Sequence, residues 1–125
     1  PALRRLRAAG ARLAVATTDT TAQATRGLAA LGVADLFDAI LGADGVSRSK
    51  PHPEMVYRLC ERVGIGPGET VVVGDAVADL LMAREAGVAL AVGILTGVTP
   101  EADLAAHADV VVPSLVTLAS YAEPD

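Results

Sequence analysis

TVVVGDAVADLLMAREAG, residues 70–87, places three consecutive valines before a glycine and an acid, and follows them with a helix-period segment. A β-branched run without polar alternation reads as a strand buried on both faces, and the segment after it closes on Gly87, as a helix should. The pattern repeats outward in both directions. LAVAT (13–17), FDAILGA (37–43), VALAVGIL (88–95) and DVVVP (109–113) read as further buried strands. Between them, 1–10, 21–32, 53–64, 76–87, 99–108 and 114–122 read as helices, the fifth with Thr99 as N-cap and Pro100 at its first position. Buried strands separated by helices mean a parallel sheet with helices on both faces, so the fold class is α/β, a doubly wound parallel sheet. The sequence carries no repeat and no low-complexity linker.

Length and composition bound the rest. The 125 residues suit one domain, spanning 1–125, and 52% apolar content is enough for one core. Phe37, Tyr57 and Tyr121 are the only aromatics, so the core is built from small aliphatic side chains and base stacking is not expected. The net charge of −5 argues against a nucleic-acid or anionic-membrane surface, since the only basic cluster is Arg4, Arg5 and Arg7. Cys60 is alone, which excludes an internal disulfide and fits a reducing cytoplasm. No apolar run approaches the roughly 18 residues of a membrane span and no leader pattern opens the chain. A soluble cytoplasmic protein is expected.

In doubly wound sheets the ligand sits beyond the carboxyl ends of the strands. Those ends carry TTDTT (17–21), DGVSRSKPHP (44–53), GDAVAD (74–79) and LTGVTP (95–100). Asp75 and Asp79 stand one helical turn apart, where Gly74 permits close backbone approach, and two such carboxylates can share a hard cation such as Mg²⁺. The alternative is that Asp75 caps the helix and Asp79 complements its dipole. Lys50, on a loop stiffened by Pro51 and Pro53, can reach an anion at the same edge, or else decorates the surface. Thr17 and Thr18 can donate hydroxyl hydrogen bonds to a phosphate beside a helix N-terminus, or else serve the strand end. His52 and His107 read as loop and helix-surface residues, and Cys60 as packing.

In order and spacing these residues resemble the haloacid dehalogenase-like hydrolases through nearly the whole chain. LRRLRAAGARLAVAT is similar to the approach to that family's second motif, with Thr17 its hydroxyl. SKPHPEMVYRLCERVGI resembles the third, with Lys50 its lysine, and ETVVVGDAVADLLMAREAGV resembles the fourth, with Asp75 and Asp79 its acids. GILTGVTPEADLAAHADVVVPSLVTL is similar to the tail of the phosphoglycolate-phosphatase-like branch. The resemblance implies a Mg²⁺-assisted phosphatase of a small phosphorylated metabolite, acting through an aspartyl-phosphate. Thr17 and Lys50 would hold the phosphoryl group, with Thr18 beside them; Asp75 would ligate Mg²⁺ and Asp79 would support its shell. Ala76 and Ala78 stand where relatives carry polar residues, which thins that shell.

TTDTT overlays the family's nucleophile motif, DxDx(T/V), but puts Thr17 where the attacking acid belongs. Asp19 is then a bystander, and the chain lacks both the nucleophile motif and a cap segment. The reading is a partial core domain, inactive alone. The missing strand would lie between the strands ending at Thr17 and Asp75, so these two either pair directly or face a gap that an N-terminal segment or a second copy in a homodimer fills. From a different class, a non-catalytic α/β module binding a phosphorylated ligand or a partner would keep Lys50 and Asp75 without a nucleophile. A dinucleotide-binding unit is disfavoured because no G-x-G-x-x-G follows a strand. Within the family, the metal-type acids and Lys50 suit phosphate better than a haloacid.

Overall fold

The computed structural model describes residues 1–95 and 97–122. Helix α1 (Ala2–Ala8) leads into strand β1 (Ala14–Ala16), helix α2 (Thr21–Ala30) and strand β2 (Ala39–Leu41). Helix α3 (Glu54–Val63), strand β3 (Val71–Gly74), helix α4 (Val77–Ala86) and strand β4 (Leu90–Ile94) follow. Helix α5 (Glu101–His107), strand β5 (Val110–Val112) and helix α6 (Leu115–Ala122) complete the order, so every expected element is present and each strand is shorter than its apolar run.

Local chemistry sets the boundaries. Thr20 caps α2 by accepting from the Gln23 amide while the Gln23 side chain accepts from the Thr20 amide, a reciprocal box that TTAQ encodes. Gly64 and Gly87 end α3 and α4 at φ +82° and +72°, a left-handed conformation open to glycine at no steric cost. One boundary differs from expectation: α5 begins at Glu101 with Pro100 as its N-cap and no side-chain cap, so Thr99 lies outside the helix. Proline has no side-chain acceptor, and its fixed φ makes the entry instead.

All strand pairs are parallel, but they form two sheets. β1 pairs with β2, Ala14 opposite Ala39 and Ala16 opposite Leu41. β4 lies between β3 and β5, with Gly74 opposite Gly93 and Ile94 opposite Val112. Of the two alternatives for the strands ending at Thr17 and Asp75, direct pairing does not occur among the described residues: β1 and β3 each have a partner on one side, and a gap separates them. Closing it would require the helices above and below to slide, and those helices are already packed. On one face, Leu41, Met55, Val56, Met82 and Ala86 form a core that touches Ala16 of β1 and Val72 of β3 together. The same face carries Leu80, Ala83, Ala91 and Leu104. On the other, Val92, Ile94 and Val112 pack with Val73, Leu115 and Leu118 beneath α6, and α6 packs against α1. Helices thus hold the half-sheets apart.

The gap is apolar. A cavity of about 570 Å³ runs beside β1 and β3, with Leu6, Leu59, Val63, Val71, Val73 and Leu118 in its wall. A second, of about 170 Å³, lies against Ala14, Ala16, Val72 and Cys60 and ends at Lys50 and Asp79. Val71, which lines the larger cavity, keeps 49% of its surface exposed. Cys60 packs there at 3.4 Å from the Thr70 hydroxyl.

Candidate active site

The loops after β1, β2, β3 and β4 gather at one end of the strands. The first two are tied by a threonine. Thr21 donates its amide and its hydroxyl to Asp44 Oδ1 (2.8 and 2.9 Å), and its hydroxyl accepts from the Gly42 amide (2.9 Å). These bonds hold the Asp44 carboxyl below its ordinary range, the Thr21 amide contributing most. The Ala43 amide donates to the Asp19 carbonyl (2.8 Å). Gly42 is required at this crossing, since a Cβ there would lie 2.2 Å from the Thr21 nitrogen.

This clasp shapes the turn at 17–19. The Thr17 hydroxyl accepts from the Asp19 amide (3.1 Å), which leaves its own proton to point elsewhere. Thr18 is exposed beside it, just before the capped N-terminus of α2. Asp19 is exposed and serves the turn through its backbone.

Lys50 and Asp79 come together across the gap. Lys50 Nζ lies 2.5 Å from Asp79 Oδ1, with 15% and 12% of the two side chains exposed. Asp79 Oδ2 accepts from the Ala76 amide (3.3 Å), so Asp79, rather than Asp75, closes the first turn of α4. Gly74 makes that approach possible: a Cβ on it would lie 2.3 Å from Asp79 Cβ. Asp75 is exposed at the end of β3, and Gly97 from the loop after β4 packs its backbone on the carboxylate.

Of the sequence-derived residues, the structure joins Lys50 to Asp79 directly and sets Thr17, Thr18 and Asp75 at the same strand ends. Both oxygens of Asp79 already have partners, Lys50 and the Ala76 amide, whereas Asp75 is exposed. Among the described residues no cluster of three His, Cys, Asp or Glu is gathered. His52 serves its own loop through Nδ1, which accepts from the Glu54 amide (3.1 Å). Three supporting residues escaped the sequence reading, namely Asp44, Glu54 and Gly97. Only the loop composition hinted at them, because their partners lie in other loops or across a turn.

Comparison with known proteins agrees with this geometry. Residues 1–87 match the haloacid dehalogenase-like hydrolase family. The chain is 45% identical over 93 residues to "Probable phosphatase IndB" of Dickeya dadantii (strain 3937), covering 74% of this chain and 40% of that protein. It is 38% identical over 95 residues to the phosphoglycolate phosphatase of Haemophilus influenzae (strain 86-028NP), covering 76% and 42%. The crystal structure of a predicted phosphoglycolate phosphatase from Haemophilus somnus 129pt superimposes with a TM-score of 0.88 at 30% identity, over 98% of this chain and 54% of that one. The chain therefore spans about half the length of the relatives it matches. No described helix is long and apolar enough to cross a membrane. By its matched residues and its fold, the chain belongs to the haloacid dehalogenase-like hydrolases, on their phosphoglycolate-phosphatase-like branch.

Proposed function

We propose that this chain is the phosphate-binding and metal-binding part of a cytoplasmic phosphatase acting on a small phosphorylated metabolite. The observation that carries the reading is the Lys50–Asp79 pair at the head of the gap, with Thr17 ending one bordering strand and Asp75 following the other. Lys50 neutralises charge on the phosphoryl group and the Thr17 hydroxyl donates to one of its oxygens. Asp79 holds the lysine in place. Mg²⁺, when bound at Asp75, supplies Lewis-acid neutralisation of the phosphoryl oxygens.

The attacking carboxylate comes from a strand that this chain does not contain. Both borders of the gap present unpaired main-chain groups, and its walls are mostly apolar, with Leu6, Leu59, Val63 and Leu118 among their residues. An extended apolar segment satisfies both, and the half-length match to the relatives supports a segment of the same protein over a second copy. Running parallel to β1 and β3, it would bring its carboxyl end out beside Lys50, where an acid could reach the phosphorus.

The test is hydrolysis of an aryl phosphate with Mg²⁺ by the 125-residue chain and by Asp75→Asn, beside orthophosphate and Mg²⁺ titrations. Binding without turnover is expected. Turnover lost in Asp75→Asn would show that the chain holds its own nucleophile, and absence of both phosphate and Mg²⁺ binding would overturn the functional reading.

A further inference from the structure

The loop that presents Lys50 runs from β2 to α3 and belongs to no regular element around the lysine. It is braced from its far end. Glu54, the first residue of α3, turns its carboxylate back over the loop: Oε2 accepts from the Ser47 amide (2.9 Å) and Oε1 from the Arg48 amide (3.2 Å). The Glu54 amide donates to His52 Nδ1 (3.1 Å), and the His52 amide donates to the Ser49 carbonyl (3.0 Å). Residues 47–54 are thereby closed into a ring with Lys50 inside it, and both carboxylate oxygens are committed to backbone donors.

We infer that Glu54 is a positioning residue whose carboxylate sets the Lys50 ammonium at the head of the gap. A lysine has a flexible four-carbon stem, so the ammonium is placed only if its backbone is fixed. Pro51 and Pro53 restrict the dihedrals after Lys50, and Glu54 fixes those before it. The remaining contact of Glu54 is an ion pair with Arg58, Nε to Oε2 at 3.6 Å, whose arginine is 53% exposed and contributes little. The bracing rests in the two backbone amides. This inference adds to the functional reading the residue that positions Lys50, and it can be tested apart from that reading.

Lys50 is the only lysine in the chain, so acylation of its amine reports its placement without interference. The measurement is the rate of acetylation of the Lys50 peptide by acetyl N-hydroxysuccinimide, read by mass spectrometry in the intact 125-residue chain. Loss of two hydrogen bonds makes Lys50 in Glu54→Ala react roughly tenfold faster. Glu54→Gln, which keeps one acceptor oxygen, is intermediate, and Arg58→Ala matches the unmodified chain. A purely structural role would instead lower the melting temperature with no change in Lys50 reactivity while folded. Equal rates in folded Glu54→Ala and the unmodified chain would overturn the inference; should Glu54→Ala not fold, equal rates in Glu54→Gln would do so. Labelling needs neither phosphate nor metal, so failure of the functional reading leaves this outcome readable.

Discussion

Gly97 lies against Asp75 so closely that a Cβ on the glycine would be 2.6 Å from Asp75 Oδ2 and 2.8 Å from its carboxyl carbon. The loop after β4 thus forms a backbone wall for an exposed carboxylate at the end of β3. Gly74 does the same for Asp79 from within β3, at 2.3 Å. One acid is free to swing and the other is buried on a helix.

That difference separates two alanine variants. In Gly97→Ala the Asp75 carboxylate must swing aside and its Cβ, 2.9 Å from the new methyl, must also give, so both the carboxylate and the exposed loop shift at a cost of about 1 kcal/mol, the low end for overpacking. Mg²⁺ titration followed by the Asp75 amide resonance should show weakened binding, with a melting temperature lowered less than in Gly74→Ala.

In Gly74→Ala the obstacle is the Cβ of Asp79, anchored in α4, so strand and helix must part. Overpacking of this kind costs about 1–3 kcal/mol. Urea unfolding should show the lower midpoint, and Asp79 should lose its contact with Lys50.

Removing one charge of the Lys50–Asp79 pair leaves the other uncompensated. Asp79→Asn keeps an acceptor for the Ala76 amide but strands the ammonium, at a cost of about 3 kcal/mol, the low end for a buried pair because both side chains retain some exposure. Equal stability of Asp79→Asn and the unmodified chain at neutral pH would show that water serves Lys50 as well as the carboxylate does.

Acid should loosen the loops that carry the site. The Asp44 carboxyl is held below its ordinary value chiefly by the Thr21 amide, and the Glu54 carboxyl chiefly by the Ser47 amide. A carboxyl whose folded pKa is depressed contributes stability above its unfolded pKa and loses it as pH falls through the folded one. Stability should therefore be flat down to about pH 4.5 and decline below it. Asp44→Asn should make that decline shallower, measured as the urea midpoint at pH 6 and at pH 3.

The alternation of buried apolar runs with helices, visible in 70–87 and repeated along the chain, determined the α/β class, the order of the elements and the loops that hold the chemistry. Lys50, Asp75, Asp79 and Thr17 were legible as candidates because strand ends are where such sheets bind ligands, and because their order resembles one family. Periodicity carries no distances between loops. That Lys50 meets Asp79, that Gly97 backs Asp75, and that Asp44 and Glu54 spend their carboxylates on the backbone of neighbouring loops depended on tertiary packing alone. So did the open gap: edge groups on β1 and β3 favour pairing, but a core shared beneath both strands and α1 packed on α6 hold them apart.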